Sequence, residues 1–455
     1  MKKKPFFMIK IANILLLQAP FFACWVLYYE ARTTTVGSRQ VALLVMLAFF
    51  GICYYFCQRL DCFRVSVLHL RDIVFGQVLA TMITDVVMYV LIWMLSIHLP
   101  NLLPGLAAWA AQCVIGTVWS VVMQRAYFAN HQPLKTLVIY DERVGMENLI
   151  HSYGLEKRFN IEKVCAVESI IDDLGALDDM DAVFLCGIHS AERNIILKYC
   201  TFRGIKLFMI PRIADVMMRG SEQIHMLHLP ILKNQRYKPS VEYQIIKRTM
   251  DIVASGLALI VLSPVFLITA IAVKSDGGPA FYRQKRLTKD GKVFEILKFR
   301  SMRVDAEKYS GAVLSAGEDD PRITKVGRFI RACRLDELPQ LINILKGDMS
   351  LVGPRPERPE IQAKIEKEVP EFSLRLQAKA GLTGYAQVYG KYNTSFYDKL
   401  LMDLMYISRP SILEDLTIIL ATLRILTSKE STEGVGESEN ALEYRRDDEG
   451  VVEVR

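Results

Sequence analysis

Long uncharged runs of apolar residues near the N terminus constrain this chain more than any other feature. Residues 11–29 and 40–58 carry no charge, and a third uncharged run covers residues 86–124. Each run is long enough to cross about 30 Å of hydrocarbon as a helix. Prolines and a glycine at 98–105 predict a turn that divides the third run into two helices. We therefore predict a four-helix transmembrane bundle over residues 1–129, with its third helix beginning near Gly76.

Basic residues around these runs predict their orientation. Four lysines precede the first run and three arginines follow the second, whereas the presumed outer loops contain only Arg32 and Arg39. Because cytoplasmic loops carry an excess of lysine and arginine, both ends of the bundle are expected in the cytoplasm. No small-residue cleavage site follows the first run, so it is expected to stay as an anchor. Asp85 lies inside the third helix, where a carboxylate is either functional or, as we favour, neutral or paired within the bundle.

The rest of the composition predicts soluble domains that bind anions. It also predicts that these domains lie in a reducing compartment. Hydrophobic residues make up 51% of the chain but charged residues make up 23%, which is too much for a membrane bundle alone. The net charge is +7 although residues 431–455 form an acidic tail, so the body is strongly basic. A basic membrane protein favours phosphates and the inner leaflet over nucleic acid as partners. Nine cysteines without a C-x-x-C pair predict neither disulfides nor zinc.

Residues 130–235 show the pattern of a Rossmann-like α/β domain. Apolar strands are predicted at 136–140, 181–187 and 205–211, with a helix at 190–202 between the last two. The turn after the first strand begins with Asp141 and Glu142 and lacks the G-x-G-x-x-G fingerprint that holds a pyrophosphate. Two acids would repel a dinucleotide. This domain is therefore expected to serve assembly or sensing.

A fourth uncharged run covers residues 252–273, within a segment at 236–274 that joins the two soluble domains. Ser263 and Pro264 lie at its centre, and a proline there bends or breaks a helix. Basic residues flank both ends, which favours two ends that return to the same anionic leaflet. We predict a re-entrant helix-break-helix. The alternative is a proline-kinked fifth span.

Residues 275–430 contain the residues that suggest chemistry, and they are predicted to form a mainly α catalytic domain. Asp336 and Glu337 are adjacent, so on a helix they point about 100° apart and suit different tasks, such as attack and metal binding. Arg355 lies between two prolines, in a stiff frame that suits phosphate oxygens. All seven histidines precede this domain, which leaves carboxylates and arginines for phosphoryl chemistry. The alternatives are a solvated helix start and an interfacial amphipathic helix.

Five motifs in this order resemble one family, the polyprenyl-phosphate hexose-1-phosphate transferases, whose catalytic module is the monotopic phosphoglycosyl transferase. They are the Ser263-Pro264 break, Lys298-Phe299-Arg300-Ser301-Met302, Asp336-Glu337-Leu338-Pro339-Gln340, Gly353-Pro354-Arg355-Pro356 and Gly381-Leu382-Thr383-Gly384. The resemblance covers nearly the whole chain. It implies a multi-pass protein of the bacterial inner membrane, with the middle and catalytic domains on the cytoplasmic face.

The resemblance also implies an activity and a set of site residues. A UDP-sugar, with glucose expected first, would give its sugar 1-phosphate to undecaprenyl phosphate, release UMP, and so initiate exopolysaccharide, capsule or O-antigen synthesis. Asp336 would form a covalent phosphosugar-aspartyl intermediate, and Glu337 would help bind Mg2+. The expected substrate-binding residues are Lys298, Arg300, Arg334, Arg355, Asp403 and Tyr406.

One departure and several alternatives accompany this resemblance. Where the family usually has Gln-x-Arg-x-Gly, residues 284–288 lack the glycine, and Gly291 is the candidate to make the turn instead. Galactose or an N-acetylhexosamine is the alternative donor sugar. A sugar-nucleotide dehydratase would need the absent glycine fingerprint, and a non-enzymatic scaffold or sensor would not need Asp336. A homodimer is compatible with the bundle and middle domain, and the acidic tail is expected to be solvated and poorly ordered rather than a docking peptide.

Overall fold

The structure is a computed structural model that describes residues 3–33, 38–236, 238–304, 306, 320, 322–390, 394–426 and 443–444. These residues belong to two compact units. The first comprises Met1–Lys135 and Gly154–Asn160, and the second comprises Thr136–Tyr153 and Ile161–Arg455. Most of the predicted acidic tail lies outside the described residues.

Four long helices form most of the first unit. They are α1 (Lys3–Cys24), α2 (Arg39–Arg59), α3 (Leu70–Leu95) and α4 (Leu102–Asn130). Each contains a stretch that is long and apolar enough to cross a membrane, which confirms the four predicted helices, although α3 begins at Leu70 rather than near Gly76. The turn between α3 and α4 ends at Asn101, whose side chain accepts a hydrogen bond from the Leu103 amide at 3.0 Å and so caps α4.

Polar side chains pair with one another inside the bundle. Asn13 and Gln77 exchange side-chain hydrogen bonds of 3.5 and 3.4 Å between α1 and α3. Gln112 of α4 donates to Asp85 of α3 at 3.4 Å. Polar groups that leave water need such partners. The pairing agrees with a structural role for Asp85 within the bundle.

The middle domain is built on a parallel sheet, as predicted. In chain order its elements are β1 (Leu134–Tyr140), β2 (Arg143–Val144), α5 (Met146–Ser152), β3 (Phe159–Ala166), α6 (Val167–Ile171), β4 (Ala182–Cys186), α7 (Ser190–Arg203), β5 (Lys206–Met209) and α8 (Ile213–Arg219). The sheet order is β3-β1-β4-β5, and β4 runs parallel to both β1 and β5. Strand β3 was not predicted from the sequence, because charged residues interrupt its apolar positions.

A hairpin and a bent helix pair lead from the middle domain to the catalytic domain. The hairpin consists of β6 (Glu222–Met226) and β7 (Leu229–Lys233), and the helices are α9 (Val241–Val261) and α10 (Ser263–Ser275). The helix axes differ by 66°, which confirms the predicted break and fits either a broken span or a re-entrant loop. Pro264 lies in the first turn of α10, where its missing N–H costs no helical hydrogen bond.

Helices predominate in the catalytic domain, in agreement with the prediction. Its elements are β8 (Phe281–Leu287), β9 (Val293–Phe299), α11 (Lys325–Ala332), α12 (Gln340–Lys346), β10 (Ser350–Val352), α13 (Pro359–Glu368), β11 (Gly381–Thr383), α14 (Tyr385–Tyr389), α15 (Phe396–Ser408) and α16 (Ile412–Leu426). Strands β8 and β9 form an antiparallel hairpin, whereas β10 and β11 pair in parallel. A final strand, β12 (Glu443–Tyr444), pairs antiparallel with β2.

Several apolar cores support the catalytic domain, and two of them connect it to neighbouring elements. One contains Phe294, Ile296, Leu341 and Ile344 and packs against Ala258 and Leu259 of α9. The other surrounds α15 and contains Phe372, Leu400, Leu404 and Ile407, together with Val216 of α8. The second core therefore joins the last helix of the middle domain to the catalytic domain.

Candidate active site

The two adjacent acids lie in a tight turn between two helices. Asp336 and Glu337 belong to a short 3-10 helix, Leu335–Glu337, that follows α11 and precedes α12. The turn is made possible by Arg334, whose backbone adopts the left-handed conformation with φ 55°. A non-glycine residue in this conformation costs on the order of 1 kcal/mol, and such strain accumulates at functional sites. The strained backbone of Arg334 therefore lies just before the two carboxylates.

Two cations from distant motifs meet at Glu337. The Lys298 ammonium, from β9, donates to Oε1 of Glu337 at 2.8 Å. The Arg355 guanidinium, from the loop after β10, donates to the same oxygen at 3.0 Å. Three of the motifs identified in the sequence, those of Lys298, Asp336 and Arg355, thus lie together. Because both hydrogen bonds end on Oε1, they leave Oε2 of Glu337 for another partner.

The environment drives the pKa values of the two carboxyl groups apart. Burial, reinforced by the neighbouring Glu337 charge, raises the pKa of Asp336 above its usual range. Burial alone would also raise the pKa of Glu337, but the charges of Lys298 and Arg355 outweigh it and hold that pKa well below the usual range. Arg334 lowers both values less strongly. Pairs of titratable groups that are separated in this way are typical of sites that assign them different roles.

Glycines hold the loop of Arg355 by close backbone packing. The Gly353 amide donates to the Thr383 carbonyl at 2.9 Å, and a Cβ atom on Gly353 would lie 2.2 Å from the Lys379 carbonyl oxygen. A Cβ on Gly384 would lie 2.2 Å from the carbonyl of Gly353. These glycines are required because no side chain fits between the two segments. The two glycine motifs thus act together to place the arginine.

A buried arginine outside the predicted set of site residues supports the same loop. Arg375 donates to the carbonyl oxygen of Arg355 at 2.8 Å and to Oδ2 of Asp403 at 2.8 Å. Arg375 is 3% exposed and Asp403 is 1% exposed. Asp403 thus reaches the site through Arg375 and the main chain of Arg355. No local pattern marks Arg375, because its two partners lie 20 and 28 residues away along the chain.

Tyr406 lies in a second buried cluster. Its hydroxyl donates to Oδ1 of Asp415 at 2.8 Å, and Lys247 donates to Tyr406 and to Asp415 at 3.0 Å each. Tyr243 also donates to Asp415, at 2.9 Å. These contacts join the start of α9 to α15 and α16. Tyr406 therefore fixes the helix pair to the catalytic domain.

Arg300 binds the end of the bent helix pair rather than a carboxylate. Its Nη2 donates to the Val273 carbonyl near the end of α10 and its Nε donates to the Pro279 carbonyl, both at 2.9 Å. A cation suits the last carbonyls of a helix, where the helix dipole is negative. Lys298 lies within β9 and reaches the acids, whereas Arg300 is the first residue after β9 and holds the end of α10.

A small pocket lies beside Arg355. Its lining consists of Leu287, Thr288, Pro354, Arg355, Pro356, Glu357, Arg375, Leu376, Ala378 and Ala380. Two arginines and Glu357 contribute the charged part of this lining, and burial lowers the pKa of two basic residues near Glu357, Arg286 and Lys399. Gly291, in the turn between β8 and β9, has φ 71° and Asp290 has φ 59°. Gly291 therefore takes a left-handed position in this turn, as the sequence analysis expected.

The acids offer a fit for a divalent cation. Magnesium is commonly held by one or two carboxylates together with substrate phosphates. Within the described part of the chain no group of three or more histidine, cysteine, aspartate or glutamate side chains could hold a metal ion by itself. Glu337 would provide a carboxylate contact through Oε2, and phosphate oxygens of a substrate would complete such a site. The donor set is thus all oxygen, which suits a hard cation.

Comparison with known proteins places this arrangement in context. Residues 242–429 match the family described as Bacterial sugar transferase. A Caulobacter vibrioides protein named UDP-glucose:undecaprenyl-phosphate glucose-1-phosphate transferase is 39% identical over 199 residues, 42% of this chain and 74% of that protein. The undecaprenyl-phosphate galactose phosphotransferase of Salmonella typhimurium is 35% identical over 243 residues, 50% of this chain and 48% of that protein.

A third relative carries the name of a different sugar. The UDP-N-acetylgalactosamine-undecaprenyl-phosphate N-acetylgalactosaminephosphotransferase of Aeromonas hydrophila is 37% identical over 243 residues, 52% of this chain and 56% of that protein. The chain thus spans about half the length of several of the curated relatives that it matches. The names of the three relatives agree on undecaprenyl phosphate and differ in the sugar.

Proposed function

Because the chain belongs to the bacterial sugar transferase family, we propose that it transfers a sugar 1-phosphate from a UDP-sugar to undecaprenyl phosphate. One observation carries the proposal: Lys298 and Arg355 converge on Glu337 beside the buried carboxyl group of Asp336. Such a site suits a phosphoryl substrate, because phosphoryl transfer requires cations and carboxylates together. The two carboxyl groups here also differ in pKa, so they can take different roles. UDP-glucose is the first donor to test. UDP-galactose and UDP-N-acetylgalactosamine are the alternatives that the names of the relatives suggest.

In the first step we assign the nucleophile to Asp336. Its oxygen attacks the phosphorus that carries the sugar, the bond from that phosphorus to the bridging oxygen breaks, and UMP leaves with that oxygen. Glu337 is less suited to attack, because two cations neutralise its Oε1 and lower its pKa. The raised pKa of Asp336 makes its carboxylate the more basic and hence the stronger nucleophile.

In the second step a phosphate oxygen of undecaprenyl phosphate attacks the same phosphorus. The bond to Asp336 breaks, the carboxylate is restored, and the sugar remains on a lipid diphosphate. Arg355 and Lys298 lie where they can neutralise phosphate charge that develops in both steps. Glu337 is the residue that would hold Mg2+, and the ion would add neutralisation of the diphosphate charge.

The membrane placement that we propose follows from the bent helix pair. The apolar half of α9 and all of α10 expose large side chains, among them Leu257, Ile260, Val261, Leu267 and Ile268. We assign this surface to one leaflet of the inner membrane, with the catalytic and Rossmann-like domains on the cytoplasmic face. The long acceptor could then keep its tail in lipid while its phosphate reaches the acids.

The test is lipid-dependent release of UMP by the full chain in detergent or nanodiscs. Three donors are compared, each in the presence of Mg2+ and undecaprenyl phosphate. They are UDP-glucose, UDP-galactose and UDP-N-acetylgalactosamine. We expect release from at least one donor, and a loss of at least about 1,000-fold in Asp336→Asn, because the nucleophile is removed. A donor labelled at the sugar phosphate should also label the protein without acceptor, and Asp336→Asn should prevent that labelling.

The matched control is Asp276→Asn, which changes an exposed aspartate after α10. It should retain activity within about twofold, as surface substitutions usually do. If Asp336→Asn still released UMP at the wild-type rate, Asp336 would not be the nucleophile. If a wide panel of donors gave no release at all, the scaffold or sensor alternative would replace the proposed enzyme.

A further inference from the structure

The carboxyl edge of the middle-domain sheet is where such folds bind ligands. In a parallel sheet the ligand crevice lies beyond the carboxyl ends of the strands, next to the strand where the order reverses. Here β1 lies between β3 and β4, so this crevice lies beyond Tyr140 of β1 and Cys186 of β4. The residues that follow those two strand ends show what this edge binds.

Ion pairs of the domain itself occupy this edge. Glu142 accepts a hydrogen bond from Arg212 at 3.0 Å and lies 3.1 Å from Nε2 of His189. Arg212 also donates to the carbonyl of Gly187 at 3.1 Å. Residues of α8 and of both strand ends are thus joined to one another. The cations that could have met a pyrophosphate here are bound to protein acids instead.

Arg143, the next residue of the same turn, binds the catalytic domain. Its two terminal nitrogens donate to the two carboxylate oxygens of Asp398 on α15, at 2.9 and 2.7 Å. The guanidinium group is almost fully buried, with 3% of the residue exposed. Ser395, the N-cap of α15, donates to Asp398 at 2.7 Å. A bidentate, buried ion pair fixes both distance and orientation.

The middle domain also holds the other end of α15. Arg409 donates to the carbonyl of Arg219 at 2.8 Å. Gly220 packs so closely that a Cβ atom on it would lie 2.7 Å from the carbonyl oxygen of Ser408. Contacts of the middle domain therefore hold α15 at its first and last turns.

Helix α15 leads directly to the catalytic arginine. It carries Asp403, which binds Arg375, and Arg375 donates to the carbonyl of Arg355. Arg355 in turn donates to Glu337. A continuous series of packed and hydrogen-bonded groups thus runs from Arg143 to the acids, and such contiguous contacts can carry energetic coupling between sites.

We propose that Arg143 is a positioning residue for the active site: the Arg143–Asp398 pair sets the position of α15 and, through Asp403 and Arg375, the position of Arg355. The proposal rests on the proposed function for its kinetic consequence. It gives the middle domain a role in positioning the catalytic site. The absence of the glycine fingerprint had not defined the role of this domain.

The test uses the full chain and a variant that removes the pair without leaving a lone buried charge. In Arg143→Met with Asp398→Asn both partners become neutral, which avoids the large cost of an unpaired ion. We expect kcat/KM for UMP release to fall roughly 3- to 30-fold, the range that long-range coupling usually gives. Arg143→Lys with Asp398 retained should lose less of kcat/KM than the paired variant, because lysine keeps the charge but not the bidentate geometry.

A double-mutant cycle separates positioning from general stability. If the pair acts through Arg355, the paired substitution should cost less than about twofold in an Arg355→Lys background, because the group it positions is already altered. Equal losses in both backgrounds would overturn the proposal. The matched control is Arg193→Met, which breaks another ion pair, Arg193 to Asp215, within the middle domain. A similar loss in this control would also overturn it.

Hydrogen exchange provides a readout that does not depend on the reaction. In the paired variant the amide of Gly353 and its neighbours up to residue 358 should exchange faster, while in Arg193→Met they should not. Unchanged exchange at 353–358 would contradict the positioning role even if the enzyme had no measurable activity. Absence of UMP release in the wild type would instead count against the proposed function, so the two failures are distinguishable.

Discussion

Asp336 and Glu337 are neighbours in sequence, yet their surroundings differ. Glu337 receives two cations on one oxygen, whereas Asp336 is buried beside a second carboxylate and is 9% exposed. Burial and the neighbouring charge of Glu337 make the ionisation of Asp336 costly. The site thus contains one carboxylate that is kept ionised and one whose ionisation costs more, and the second is the reactive one in the proposed mechanism.

This difference predicts a pH dependence. Asp336 must be ionised to attack, so kcat/KM should fall as the pH drops through its raised pKa, at a higher pH than an ordinary aspartate with a pKa of about 3.9 would give. Lys298→Met removes a charge that lowers the pKa values of both carboxyl groups. The acid limb of the pH profile of UMP release should therefore move to higher pH.

The control for this profile is Lys292→Met, which removes an exposed lysine from the turn between β8 and β9. Its acid limb should coincide with that of the wild type, since an exposed charge outside the site is screened by water and salt. A shift of the Lys298→Met limb to lower pH would contradict the assigned electrostatics. So would a wild-type acid limb in the range of an unperturbed aspartate.

At the scale of elements, the bent helix pair is attached to the catalytic domain at both of its ends. Lys247 pairs with Asp415, and Arg248 donates to the carbonyls of Ile344 and Leu345 at the end of α12. Arg300 holds the last turn of α10. Lys247 and Arg248 are among the basic residues that flank this segment in the sequence, and both bind groups of the catalytic domain.

Arg300 therefore has a predicted effect on stability that differs from that of a surface arginine. Arg300→Met should lower the stability of the full chain by about 1.5–3 kcal/mol, the range for hydrogen bonds from a charged group. Thermal unfolding of the purified protein in detergent measures this as a lower Tm. Hydrogen exchange at residues 270–280 should also become faster, because the end of α10 loses its cap.

Arg303→Met is the comparison for this variant, since Arg303 is exposed three residues along the chain. Its Tm should remain close to that of the wild type, because surface substitutions usually change stability by less than about 0.5 kcal/mol. If Arg300→Met left the Tm and the exchange unchanged while only activity fell, Arg300 would act on substrate, as the family resemblance implied. That outcome would reverse the assignment made from its hydrogen bonds.

Local patterns predicted those features whose cause is local. Uncharged runs revealed α1 to α4, and Pro264 revealed the break between α9 and α10, because apolarity and proline geometry act over a few residues. The acids and Arg355 were found because their motifs are short. Arg375 and Arg143 were not, since their partners lie far along the chain: Asp398 is 255 residues from Arg143. Only the folded chain brings such pairs together.

At the scale of the whole molecule, the lengths of the two helix arms favour re-entry over crossing. The apolar part of α9 from residue 252 to 261 and the ten residues of α10 from 264 to 273 each reach about 15 Å at 1.5 Å per residue. Each arm thus covers about half of a hydrocarbon core of about 30 Å. The far end of each arm is bound to the catalytic domain, which supports the re-entrant topology that we propose, with both ends on the side of the membrane where that domain lies.

Cys333 provides a probe of this topology. It is exposed and directly follows α11 in the catalytic domain, whereas the other eight cysteines are buried or partly buried. In spheroplasts a membrane-impermeant maleimide should label Cys333 only after permeabilisation, because re-entry keeps the catalytic domain in the cytoplasm. Cys333→Ser identifies the specific signal. In that background Leu99→Cys, in the exposed loop between α3 and α4, should be labelled without permeabilisation.

Labelling of Cys333 in intact spheroplasts would instead require that α9 and α10 cross the bilayer as a fifth span. The active site would then face away from the cytoplasm, where UDP-sugars are made, so the same result would also count against the proposed donor.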